Sequence, residues 1–135
     1  MAELVITSCT VPLPLRAEFG TAGEAIDDGE VVYLKSDGNL WLAKSGGTLA
    51  EAAAIGFAVG SAVAGQALFY NETQVMTINA VAAVSVLYFL ASTPGKIELE
   101  SDLAAGGLEY KTLLATGSST TTLIPKIWPT GVLKP

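Results

Sequence analysis

The chain has 135 residues, half of them hydrophobic and 15% charged, with a formal net charge of −6, a composition that argues against disorder and fits one compact domain. Its seven basic residues stand singly at Arg16, Lys35, Lys44, Lys96, Lys111, Lys126 and Lys134, and phosphate backbones are bound by clusters, so direct nucleic-acid binding is not expected. Histidine is absent, which removes the commonest general base and zinc ligand together, and the single cysteine, Cys9, excludes an intrachain disulfide and fits assembly in a reducing cytoplasm.

The first element in chain order is an extended arm, residues 1–19, whose opening Met1-Ala2-Glu3-Leu4 has no basic segment leading into an apolar run, so a secretory leader is not expected. Val11-Pro12-Leu13-Pro14-Leu15 has alternating prolines that fix φ and delete amide donors, which keeps this stretch extended and outside a sheet. A hairpin follows, Val31–Lys35 through Ser36-Asp37-Gly38 into Asn39–Ala43; Asp-Gly between β-rich runs supplies the positive φ of the turn. Thr48–Ala54 has helix formers behind a Thr cap but room for at most about two turns. Strands are expected at Ile55–Ser61, Gln66–Tyr70 and Gln74–Asn79. A second hairpin runs from Leu87–Ala91 through Ser92-Thr93-Pro94-Gly95 into Lys96–Glu100. Strands at Tyr110–Thr116, Thr121–Trp128 and Gly131–Leu133 complete the chain.

Ala52–Phe69 and Val75–Leu90 are nearly uncharged and together allow a membrane hairpin as a reading. No Lys or Arg lies between Lys44 and Lys96 to set a topology, the first run is mostly Ala and Gly, and Gln66, Asn71, Glu72, Gln74 and Asn79 crowd the connection. Buried strands account for the runs better.

Shifting the sequence by 56 or 57 residues superimposes Leu34 on Leu90, Ser36 on Ser92, Gly38 on Gly95, Leu42 on Leu99, Ala58 on Ala115, Gly60 on Gly117 and Ser61 on Ser118; Thr73 and Val75 fall on Thr130 and Val132. The chain therefore divides into the arm, a first β unit (20–78) and a second β unit (79–135). Mainly β, the two tandem units form one compact sandwich- or barrel-like domain with at most one short helix. Within Lys96-Ile97-Glu98-Leu99-Glu100 the alternation points Ile97 and Leu99 inward and Lys96, Glu98 and Glu100 outward. The same register in the first unit points Leu40 and Leu42 inward and Trp41 outward, as a contact surface or a half-buried edge.

Motifs for chemistry are incomplete. Gly60 to Ala67 has the glycine spacing of a phosphate loop, but Gln66 and Ala67 stand where Lys and Ser/Thr are needed. Glu24, Asp27, Asp28 and Glu30 form an acidic run without the alternation of a calcium loop, read as a solvated turn. Glu98 and Glu100 share a strand face at a spacing near that of a glycosidase pair, without sugar-stacking aromatics around a cleft. Cys9 and the hydroxyl residues have no histidine to activate them. Asn71-Glu72-Thr73 matches a glycosylation sequon, which means little without a secretory route. No catalytic residue, cofactor, metal or small-molecule substrate is expected.

Gly20-Thr21-Ala22-Gly23-Glu24-Ala25-Ile26, then Gly29-Glu30-Val31-Val32-Tyr33-Leu34 and Ser36-Asp37-Gly38, resemble small capsid decoration (cement) proteins of tailed bacteriophages. So do Ile55-Gly56-Phe57-Ala58 with Ala64-Gly65-Gln66, and the hairpin Tyr88–Ile97 followed by Ser101-Asp102-Leu103-Ala104. The likeness covers roughly residues 20–125, and its motifs are turn and core features. It implies a non-enzymatic virion protein, commonly a homotrimer, on the outer surface of the capsid and bound to the major capsid protein, assembled in the host cytoplasm. Val11, Pro12, Leu13, Pro14, Leu15, Trp41, Ile127 and Trp128 are the candidate capsid or subunit contacts. The rival reading is the base domain of a head fibre or adhesive appendage that binds host surface molecules, for which 135 residues leave little room.

Overall fold

The computed structural model describes residues 3–4, 6, 8–11, 18–79, 82–104 and 106–135. Among them the strands are β1 (Glu3–Leu4), β2 (Cys9–Thr10), β3 (Glu18–Thr21), β4 (Val31–Leu34), β5 (Leu40–Leu42) and β6 (Gly56–Val59), then β7 (Ala67–Asn71), β8 (Met76–Ile78), β9 (Leu87–Leu90), β10 (Ile97–Leu99), β11 (Tyr110–Gly117) and β12 (Thr122–Leu133). One helical turn, α1 (Leu49–Ala52), lies between β5 and β6. It begins on a capping box: Thr48 Oγ1 accepts from the Glu51 amide at 3.2 Å while Glu51 Oε1 accepts from the Thr48 amide at 2.9 Å. Gly38 and Gly95, at φ +85° and +77°, close the β4–β5 and β9–β10 hairpins.

Among the described residues every ladder between named strands is antiparallel, and the strands make two sheets that do not close into a barrel. The smaller has the order β3-β7-β6-β4-β5, the larger β1-β10-β9-β11-β12-β8-β2. Without its two outermost strands the larger sheet reads β8-β12-β11-β9-β10, which is the order of the smaller sheet repeated. The boundary between the sheets falls between β7 and β8, so β8, placed in the first unit by the sequence, pairs in the sheet of the second, and the two sheets stack.

The main core fills the space between the sheets. Val31, Tyr33 and Phe57 enter it from the small sheet; Met76, Tyr88, Leu90, Ile97, Leu114 and Leu123 enter from the large one. A second core lies on the other face of the small sheet, with Val32, Leu40, Ala58 and Leu68 beneath Ala22 and Ile26. A sheet buried on both faces cannot alternate polar and apolar residues, which is why Val31-Val32-Tyr33 is continuous. The apolar runs read as possible membrane segments fold as β6–β7 and β8–β9, and among the described residues no helix is long and apolar enough to cross a membrane.

Three expectations change. The described residues before Gly20 do not stand apart: β1 extends one edge of the large sheet on β10, β2 extends the other on β8, and Ile6 and Cys9 are buried in the main core. Trp41 does lie opposite Leu40, but its face of the small sheet is the one turned towards the large sheet, so the indole is half-buried against the main core. Glu98 is not outward and solvated; on β10, between β1 and β9, it is only 3% exposed.

Candidate interaction surface

The polar groups singled out in the sequence are used in holding turns. Glu24 Oε2 accepts from the Leu42 amide at 3.0 Å, Glu30 Oε1 from the Asp27 amide at 2.8 Å and Asp28 Oδ1 from the Gly60 amide at 2.9 Å, so the acidic run is a set of turn clamps more than a solvated face. Among the described residues no three His, Cys, Asp or Glu side chains are grouped to hold a metal ion. Gln66 Oε1 accepts from the Val63 amide at 3.0 Å, which ties the Gly60–Ala67 loop to itself. Glu100 lies just past β10, exposed, and pairs with Lys111 at 2.6 Å, which holds its carboxyl below the usual range; Glu98 is buried, so the two do not face one cleft. Asn71 is fully buried, with its amide Nδ2 donating to Gln74 O at 2.7 Å, and the sequon is closed to modification in the folded chain. Burial and the neighbouring Asp28 push the Cys9 thiol up to about 12, and Sγ donates to Ala58 O at 3.1 Å; such a thiol is not a nucleophile.

The candidate contact residues separate. Pro12, Leu13, Pro14 and Leu15 lie outside the described residues, and Val11 is half-buried against the main core. Trp41 is engaged within the chain: its Nε1 donates to Asp37 Oδ2 at 3.1 Å and Lys35 Nζ sits 4.4 Å from the ring centroid. Ile127 packs on the main core. Of the described candidates, Trp128 is the large exposed aromatic, 65% accessible, midway along β12. The register explains its setting. Phe89 lies opposite Leu113 and Leu113 opposite Trp128, so the three side chains form one row across β9, β11 and β12 on the outer face of the large sheet. Pro125 and Pro129 lack amide donors and keep the outer edge of β12 from offering a full ladder to another strand.

A second apolar row was not legible in the sequence. Val59 lies opposite Phe69 on β6 and β7, and Phe69 opposite Phe19 on β3. The two rings stand 5.9 Å apart and are 71% and 47% exposed for Phe19 and Phe69. Phe19 falls at the end of the segment read as an arm, and the unbroken Leu68-Phe69-Tyr70 run hides which residue faces out.

The junction between units is polar and well satisfied. Gly95, in the second hairpin turn, donates to Ala43 O at 2.7 Å and accepts from the Val31 amide at 3.0 Å. Lys96 pairs with Glu30 at 3.1 Å, buried Glu109 accepts from the Ser45 hydroxyl, and Thr112 Oγ1 donates to Ala52 O at 2.6 Å. Burying these groups together costs little because each has its partner.

No protein-family model and no curated protein matches the chain.

Proposed function

We propose that the chain is a structural virion protein that decorates a phage capsid, self-associating as a homotrimer and binding the outer surface of the major capsid protein shell, without catalytic activity. The observation that carries this reading is Trp128, 65% exposed midway along β12 beside half-buried Leu113 and buried Phe89: a strand centre normally reserves such a residue for burial, and a large exposed aromatic there marks a contact surface. The resemblance of residues 20–125 to capsid cement proteins supplies the partner. Trp128 on a rigid ladder loses little entropy on contact, and many copies on a shell multiply modest single contacts.

The test is co-sedimentation of the purified protein with expanded capsid shells that lack it. Saturable binding is expected, reduced at least about tenfold by Trp128→Ala with the fold retained. Binding that is absent, or indifferent to Trp128→Ala, overturns the proposal.

A further inference from the structure

The two units meet head to tail. The second unit's hairpin turn is a plug, seated against Glu30, Val31, Leu42 and Ala43 of the first: besides its two backbone bonds, Gly95 approaches so closely that a Cβ on it would come 2.9 Å from Leu42 and 3.1 Å from Glu30. Under this plug Val31 and Ala43 are 0% exposed. A head-to-tail contact uses two different surfaces, so a pair of units joined this way leaves one plug and one socket over.

Both leftovers are on the surface. The shift of 56 residues that carries β4 onto β9, and of 57 that carries β5 onto β10, takes the socket to Val86, Leu87, Leu99 and Glu100. These four line a single groove of about 390 Å³, together with Phe89 and Ser101. Leu87, the counterpart of fully buried Val31, is 48% exposed there. The shift of 57 takes the plug back to Gly38 in the first hairpin turn, which is exposed, and a Cβ on Gly38 would meet nothing within 4 Å.

We infer that the first-hairpin turn, Ser36–Gly38, of one molecule docks into the Val86–Leu87–Leu99–Glu100 groove of another, so that the occupant of the groove is a second copy of this chain. The contact repeats between molecules the apolar seating already made within the chain, while Glu100 O, the counterpart of Ala43 O, already accepts from the Leu103 amide at 3.1 Å and Lys134 Nζ at 2.7 Å. Being heterologous, it passes from copy to copy and ends only when a ring closes. The internal ion pair has no counterpart, since Asn39 stands for Lys96 and Val86 for Glu30, so the intermolecular contact is the weaker of the two and depends on concentration. Glu100, at the groove's mouth, is neutralised by Lys111 and does not confront Asp37 of the incoming turn with a bare charge. This inference stands on the duplicated fold and goes beyond the capsid reading.

The experiment is sedimentation of the full-length protein over a concentration series, with Leu87→Asp as the groove variant; an exposed position keeps the monomer folded, which circular dichroism checks. Reversible association is expected, weakened about tenfold or more by Leu87→Asp. Disulfide trapping gives the polarity: Asp37→Cys mixed with Ser101→Cys, each in a Cys9→Ala background, should give the mixed dimer in excess over either like pair. A chain that stays monomeric, association untouched by Leu87→Asp, or like pairs forming in preference overturns the inference. Capsid binding by a monomeric Leu87→Asp protein would leave the decoration reading intact, so the two fail separately.

Discussion

Gly29 and Ser85 occupy one position in the two units and share a left-handed backbone, φ +84° and +62°. Each amide donates to the unit's third ladder strand, Gly29 to Ala58 O at 2.9 Å and Ser85 to Gly117 O at 2.8 Å; the next residue's carbonyl, Glu30 or Val86, accepts from the amide of Ala58 or Gly117. The two turns share backbone geometry and bonding although their residues differ. Their partners Ala58 and Gly117 lie 59 residues apart, so the shift of 57 that set Ala58 on Ala115 does not extend to β6 and β11.

Ser85 therefore carries strain that Gly29 avoids, since a side chain in this region costs about 1–2 kcal/mol. Ser85→Gly should raise stability by up to about 1 kcal/mol after the added freedom of the unfolded chain is subtracted. Gly29→Ala should do the reverse, and more strongly, because its Cβ would fall 2.4 Å from Ile6 Cγ2. Urea denaturation of the two variants gives opposite signs if the positions are equivalent in conformation and different in packing.

Gly23 leaves room for the indole of Trp41. A Cβ there would sit 2.3 Å from Cε2 and 2.4 Å from Nε1, and the indole is fixed by its hydrogen bond to Asp37 and by Lys35 on its face. Gly23→Ala should destabilise by about 1–3 kcal/mol through overpacking. In a Trp41→Leu background most of that cost should vanish, and a double-mutant cycle by thermal unfolding measures the difference.

These residues mark what could be read in advance and what could not. Both hairpins were legible because Asp37-Gly38 and Pro94-Gly95 set turn geometry locally. Which face of each strand meets solvent was not, because alternation separates Leu40 from Trp41 without saying what covers each side. In a stack of two similar units, the outer face of the first becomes an inner wall, so Trp41 is half-buried. β1 and β2 were missed for another reason: two-residue strands have no period, and they exist because the edges of β10 and β8 receive them. The groove at Leu87 needs both the repeat and the fold, since its residues lie at the start of β9 and around the end of β10.

Glu30 and Lys96 join the two units in surroundings that leave their side chains 8% and 20% exposed. Removing one partner strands the other charge, so Lys96→Met should cost about 3 kcal/mol, while Glu30→Gln combined with Lys96→Met should recover a large part of it. Denaturant titration of the single and double variants checks this. Equal losses in the single and double variants would mean that the cost does not come from a stranded Glu30 charge.

Cys9 links stability to alkaline pH. In the unfolded chain its thiol titrates near 9.0, and in the fold burial first and Asp28 second raise it to about 12. Between those values the unfolded chain gives up a proton that the folded chain keeps, so the unfolded state binds fewer protons and stability falls as pH rises. The contribution is fully present below about pH 9 and declines above it by up to about 1.4 kcal/mol per pH unit. Cys9→Ala removes this contribution alone, so the difference between wild type and variant isolates it. Unfolding free energies measured from about pH 8 to pH 11 should fall more steeply for wild type than for Cys9→Ala. Over the same range a thiol reagent should modify Cys9 only at the rate at which the main core opens.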